Sequence, residues 1–201
     1  MKKLINMLLL VLISPCSFAE DTEISVFSGY RMGGELTSAS SGNTAEFDDS
    51  SSLGFIFATD YGPEHVMEFL YSKQNTALRE IGAYPFTGNT LFNVDIEYFQ
   101  LGGSQIWSDK KIDKFFGAGL GIIQLDPDDA AFTSKSRFAM SFGGGMVYKI
   151  TKNIGLRLEL RAYFSTFSSS STFCDEGNDC IIVGNGFMQQ LDANAGIRFR
   201  F

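Results

Sequence analysis

The sequence predicts an all-β fold: an eight-stranded antiparallel up-and-down transmembrane β-barrel. Three observations carry that expectation. Apolar and polar residues alternate with a period of two in eight segments of roughly ten residues, each closed by turn residues. The connections between segments alternate between short and long. Finally, no stretch after residue 20 is apolar enough to span a bilayer as a helix, and the mean hydropathy is only +0.03. Alternating strands give such a value and apolar helices do not. The 20 Phe, 21 Gly and 7 Tyr also favour strands with tight bends over long helices.

The first residues are a separate object. Lys2 and Lys3 precede an apolar run from Leu4 to Ser14, and Ser17-Phe18-Ala19 places small residues ahead of Glu20. This is the pattern of a secretory signal peptide, so residues 1–19 are expected to be cleaved and residues 20–201 to form the barrel. The run is about half of the ~20 residues a spanning helix needs. Cys16 raises a lipoprotein reading, which Pro15 immediately before it disfavours. Removing Lys2 and Lys3 takes the net charge from −7 to −9. So acidic a chain would repel a phosphate backbone, which argues against nucleic acid as a partner.

The segments follow in order. The first, Glu23 to Gly33, puts Ile24, Val26, Tyr30 and Met32 on one face; the second, Ser52 to Asp60, does so with Leu53, Phe55 and Phe57. In the third, His65 to Lys73, Met67, Phe69 and Tyr71 alternate with Glu68, Leu70 and Ser72. In the fourth, Phe92 to Ile106, Val94, Ile96 and Tyr98 alternate with Asn93, Asp95 and Glu97. The fifth, Lys114 to Gln124, and the sixth, Arg137 to Ile150, set bulky apolar residues against Gly117, Gly119, Gly121, Gly143 and Gly145. The seventh is the cleanest: Leu156, Leu158, Leu160 and Ala162 alternate with Arg157, Glu159 and Arg161. The eighth sets Leu191, Ala193, Ala195, Ile197, Phe199 and Phe201 against Asp192, Asn194, Arg198 and Arg200. Short connections fall at Tyr61–Glu64, Ser108–Asp113 and Thr151–Asn153; long ones fall at about 34–51, 74–91, 126–136 and 166–186. Outer-membrane barrels have this rhythm, with short periplasmic turns and long outer loops.

Periodicity alone does not separate such a barrel from a soluble one with its apolar face inside. The chemistry of the polar face does. Placed inside, it brings Arg31, Arg157, Arg161, Arg198 and Arg200 together with Glu68, Asp95, Glu97, Glu159 and Asp192, a charge-balanced set. A narrow lumen calls for such balance, since an unpaired buried charge is costly and Arg–carboxylate pairing relieves it. Tyr61, Trp107 and Tyr148 near segment ends suit an aromatic girdle.

The pieces SGYRMGG (28–34), EFLYSKQNT (68–76), IEYFQLGG (96–103), GAGLG (117–121), FGGGMVYKI (142–150), LRLELRAYF (156–164) and AGIRFRF (195–201), in that order, resemble the small outer-membrane β-barrel family that includes OmpX- and OmpW-type proteins. The resemblance spans the mature chain. It implies residence in the outer membrane as a monomer among outer-membrane lipid and lipopolysaccharide. It also implies that Phe201, with Phe199 and Ile197, forms the signal read by the barrel-assembly machinery. Ala195 stands where larger residues are common.

Catalysis and cofactors find little support. Hydrolysis or acyl transfer calls for an oriented base, and the single His, His65, falls in the first short turn. Glu159 between Arg157 and Arg161 reads as an ion-pair network. No His/Cys spacing suits a metal. The acidic runs Asp126-Pro127-Asp128-Asp129 and Asp175-Glu176-Gly177-Asn178-Asp179 lack the register of a calcium loop and read as solvated. Cys174 and Cys180, an even pair in an exported chain, read as a disulfide. The expected function is therefore non-enzymatic: envelope structure or surface interaction through the outer loops. A narrow pore or lateral path for small or hydrophobic solutes is the alternative, and a lipid-modifying enzyme the third reading.

Overall fold

The computed structural model describes residues 22–37, 44–81, 90–128, 134–167, 172–174, 180–182 and 186–201. The leader, Asp129 and the run from Asp175 to Asp179 lie outside these. The strands are β1 (Thr22–Gly33), β2 (Glu35–Thr37), β3 (Thr44–Phe47), β4 (Ser50–Gly62), β5 (His65–Ile81), β6 (Thr90–Ser108), β7 (Ile112–Pro127), β8 (Lys135–Lys149), β9 (Ile154–Phe167), β10 (Thr172–Cys174), β11 (Cys180–Ile182) and β12 (Gly186–Arg200).

Eight of them close the barrel. Neighbours in the order β1, β4, β5, β6, β7, β8, β9, β12 pair antiparallel, and β12 returns to β1 in register from Glu23↔Arg200 to Gly33↔Gln190. The Phe201 N–H donates to the Thr22 carbonyl at 2.9 Å, so both chain ends of the barrel meet beside the short turns. Closure leaves no free strand edge inside a membrane, which a spanning sheet requires. One short turn carries local strain: Glu64, after Pro63, has φ 66°.

Four short strands complete the far end. β2 and β3 form a hairpin whose second strand adds to β5, and β10 pairs with β11. β5 and β6, at 17 and 19 residues, are the longest strands and reach well into the long connection expected at 74–91.

On the outside, Val26, Leu53, Met67, Leu101, Phe116, Leu120, Phe142, Leu158, Leu160 and Ile197 all stand exposed. A soluble barrel would bury such a set, whereas lipid covers it at no cost. Tyr61, Trp107 and Tyr148 are exposed at the short-turn end of this band, and a second aromatic group of Phe55, Tyr71 and Phe99 closes it above, with centroids 5.0 and 5.5 Å apart. On the inside, small residues make room. A side chain at Gly121 would strike the Phe99 carbonyl, and one at Gly143 would come 2.7 Å from the Glu159 carboxylate.

Candidate functional site

Strand parity fills the lumen in tiers. At the short-turn mouth, Arg198 lies 3.2 Å from Asp113 and 3.4 Å from Glu23. Arg200 reaches Asp60 at 2.8 Å and Glu23 at 3.3 Å, and Lys149 closes on Asp113 at 2.6 Å. Above them sits a four-member cluster. Glu159 accepts from Arg157 at 3.0 Å and from Arg161 at 2.7 Å, while Glu68, on the opposite wall, lies 3.4 Å from Arg157 and 3.7 Å from Arg161. The Arg157 guanidinium also lies 4.0 Å from the centre of the Phe115 ring. Arg161 donates to Ser141 at 3.0 Å, and Ser141 donates to Gln100 at 2.6 Å, which carries the network across to β6.

The third tier is a single buried pair. Arg31 donates to Asp192 at 2.7 and 3.1 Å, and both side chains are 0% exposed. Tyr98 and Tyr163 stack at 4.2 Å, with the Arg31 guanidinium 5.0 and 4.7 Å from their ring centres. Tyr98 donates to Gln190 at 2.9 Å, and Gln190 donates to Gln74 at 3.2 Å, a belt from β6 through β12 to β5. Beyond the belt the lining becomes aliphatic and aromatic: Phe47, Leu78, Phe92, Val94, Ile96, Ile123, Leu125, Phe167 and Met188 are all buried there.

Eight of the ten charged residues expected in the lumen are placed there: Arg31, Glu68, Arg157, Glu159, Arg161, Asp192 and Arg198 are buried, and Arg200 stands at the mouth. Asp95 and Glu97 are not. They lie on the outer surface of β6, where Lys73 of β5 contacts them at 2.5 and 3.3 Å and is itself 41% exposed. Val94, Ile96 and Tyr98 correspondingly point inward and are fully buried. No slip of register is involved, since β6 pairs continuously with β7 from Val94↔Pro127 to Ser108↔Asp113.

What changes along β6 is the chemistry of its two faces. Below Phe99 the apolar Leu101 and Trp107 turn out; above Phe99 the apolar Val94, Ile96 and Tyr98 turn in and the carboxylates turn out. The outward apolar face of these two strands therefore ends near Tyr71 on β5 and Phe99 on β6, and above it the outer face carries Lys73, Asp95 and Glu97. At that level partial burial would raise the Asp95 carboxyl, but hydrogen bonds from Lys73 and Asn75 outweigh it and hold the group below its ordinary value.

The sequence reading missed Glu23, Asp60, Asp113 and Lys149. Each shares inward parity with a residue that was assigned correctly, so parity carried to the strand ends finds them. With these four, six cations face six carboxylates in the two lower tiers and the Arg31 pair. His65 sits at the turn, with Nδ1 2.8 Å from the Pro63 carbonyl and its ring beside Tyr61. Among the described residues no cluster of His, Cys, Asp or Glu is placed to hold a metal ion.

No protein-family model and no curated protein matches the chain. Solved structures do. Outer membrane protein OprG from Pseudomonas aeruginosa is 12% identical over 91% of this chain and 96% of its own, with a TM-score of 0.61. Neisserial surface protein A is 12% identical over 90% and 97%, at 0.59. AlkL, solved in lipid bilayers, is 14% identical over 92% of each chain, at 0.55. Identities this low speak to fold, and the fold agrees with the outward apolar band and the closed sheet. The chain is a small eight-stranded antiparallel β-barrel with the outward apolar band of a membrane-spanning barrel.

Proposed function

We propose that this barrel is a closed, non-enzymatic outer-membrane protein that acts through the part standing outside the membrane, in envelope structure or surface interaction. The observation that carries the reading is the filled lumen. Ion pairs bridge opposing walls at two levels, the Arg31–Asp192 pair with its two tyrosines crosses a third, and an apolar layer lies above them. Ions moving through would have to shed water beside aliphatic side chains, which is strongly unfavourable. Outer-membrane lipid and lipopolysaccharide surround the band, the chain works as a monomer, and the assembly machinery reads Phe201, Phe199 and Ile197, all of which face outward. Purified protein in planar bilayers should give no conductance above lipid background; stepwise openings would overturn the reading.

A lateral path for small solutes has one observation in its favour. Where β2 departs from the wall, a notch of about 390 Å³ opens beside β12, lined by Gly33, Gly34, Glu35, Glu46, Phe187 and Gln189. Faster entry of a small polar fluorescent solute into protein-bearing vesicles than into empty ones would favour that second reading.

A further inference from the structure

The hairpin of β10 and β11 brings the mature chain's two cysteines together. Its register runs Thr172↔Ile182, Phe173↔Ile181 and Cys174↔Cys180, so the cysteines are the last opposed pair among the described residues. Directly opposed residues of antiparallel strands have Cα atoms about 4.5–5.5 Å apart. A disulfide needs roughly 4.4–6.8 Å, so this backbone register brings the two cysteines within the range of one. The third cysteine, Cys16, lies in the leader expected to be removed, which leaves neither partner a competitor within the chain. The hairpin also connects β9 to β12 at the end opposite the short turns, outside the reducing cytoplasm.

We propose that Cys174 and Cys180 are joined by a disulfide that staples this outer hairpin at its tip. The oxidant is a protein disulfide of the exported compartment. The thiolate of one cysteine attacks a sulfur of the donor disulfide and forms a mixed disulfide. The second thiolate then displaces the donor, which leaves as a dithiol carrying the electron pair, and the two protons the cysteines give up are balanced by the two its thiols take up. The staple closes the acidic sequence Asp175-Glu176-Gly177-Asn178-Asp179 into a small ring and fixes the end of the hairpin whatever that ring contacts.

The test is thiol labelling of the processed protein, extracted from outer membranes into alkylating reagent. The expected result is no labelled cysteine before reduction, two after it, and a cross-linked peptide pair in mass spectra of the unreduced digest. In Cys174→Ser the remaining Cys180 should label without reduction. Free thiols at both positions in the freshly extracted parent would overturn the proposal, as would a Cys180 that stays unlabelled in Cys174→Ser until reductant is added.

Discussion

Removing the Asp192 carboxylate should be among the most damaging single changes available in this lumen. In Asp192→Ala, Arg31 keeps its charge and its hydrogen bond to Ser72 but loses both hydrogen bonds to the carboxylate, at 2.7 and 3.1 Å, in a site where neither side chain meets solvent. Ser52, which donates to the other carboxylate oxygen at 3.1 Å, loses its acceptor as well. Stranding one member of a buried pair costs about 3–5 kcal/mol. The faces of Tyr98 and Tyr163 remain beneath the guanidinium and retain ~1–2 kcal/mol of that, so the lower end, about 3 kcal/mol, is expected. That amounts to roughly two powers of ten in the folding constant. Urea titration of the barrel in lipid vesicles reads it, followed through Trp107, the single tryptophan, which faces outward. The double variant Arg31→Met/Asp192→Leu has no charge to strand and should fold within about 1 kcal/mol of the parent or better. A loss below about 1 kcal/mol in Asp192→Ala, or a double variant that loses the sum of both single changes, would refute the reasoning.

The remaining predictions separate the two sides of the wall and probe its turns. Asp95→Ala and Glu97→Ala, which break only partly exposed contacts to Lys73, Asn75 and Tyr71, should each cost under about 1 kcal/mol, whereas Glu159→Ala, inside the cluster with Arg157 and Arg161, should cost about 3–5 kcal/mol in the same titration. Glu64→Gly relieves a left-handed conformation after Pro63 and should stabilise the barrel by about 1 kcal/mol, visible as a later urea midpoint. Gly121→Ala forces the β6 and β7 backbones apart at Phe99 and should cost about 1–3 kcal/mol, read as a lower temperature for the loss of compact gel mobility. Phe201→Ala keeps the backbone bond to Thr22 and should leave the urea midpoint within about 0.5 kcal/mol. Its effect belongs in cells, where less folded protein should reach the outer membrane.

Most of the barrel was legible because a two-residue period, once a wall separates lipid from a narrow lumen, assigns nearly every side chain. Leu158 and Arg161 show it on one strand, one exposed to lipid and one buried among carboxylates. The reading broke at Val94, Ile96 and Tyr98, which were put on the lipid side because apolar residues were assumed to face outward along the whole strand. The rule holds only at membrane depth, and the sequence marks where it ends. Tyr98-Phe99 on β6 and Ile122-Ile123 on β7 are apolar doublets that interrupt the alternation, and they lie directly opposite one another, Tyr98↔Ile123 and Phe99↔Ile122. Tyr163-Phe164 on β9 is a third. At each, one residue faces lipid and its neighbour the lumen, and beyond it the sense inverts. The tiers were less accessible, because parity says that Arg157, Arg161 and Glu68 share the lumen but not that Glu68 reaches across from the opposite wall.

That inversion is the centre of the account, and nitroxide scanning along β7 from Phe115 to Pro127 tests it directly, on a background with Cys174 and Cys180 replaced by serine. Labels at Phe116, Leu120 and Ile122 should collide freely with lipid-soluble oxygen and little with a water-soluble nickel complex. At Gln124 and Asp126 the preference should reverse, while Ile123 and Leu125 should be shielded from both. Oxygen exposure that continues through Gln124 and Asp126, or nickel access at Leu125, would contradict a wall that leaves the membrane at Ile122 and closes over an apolar core.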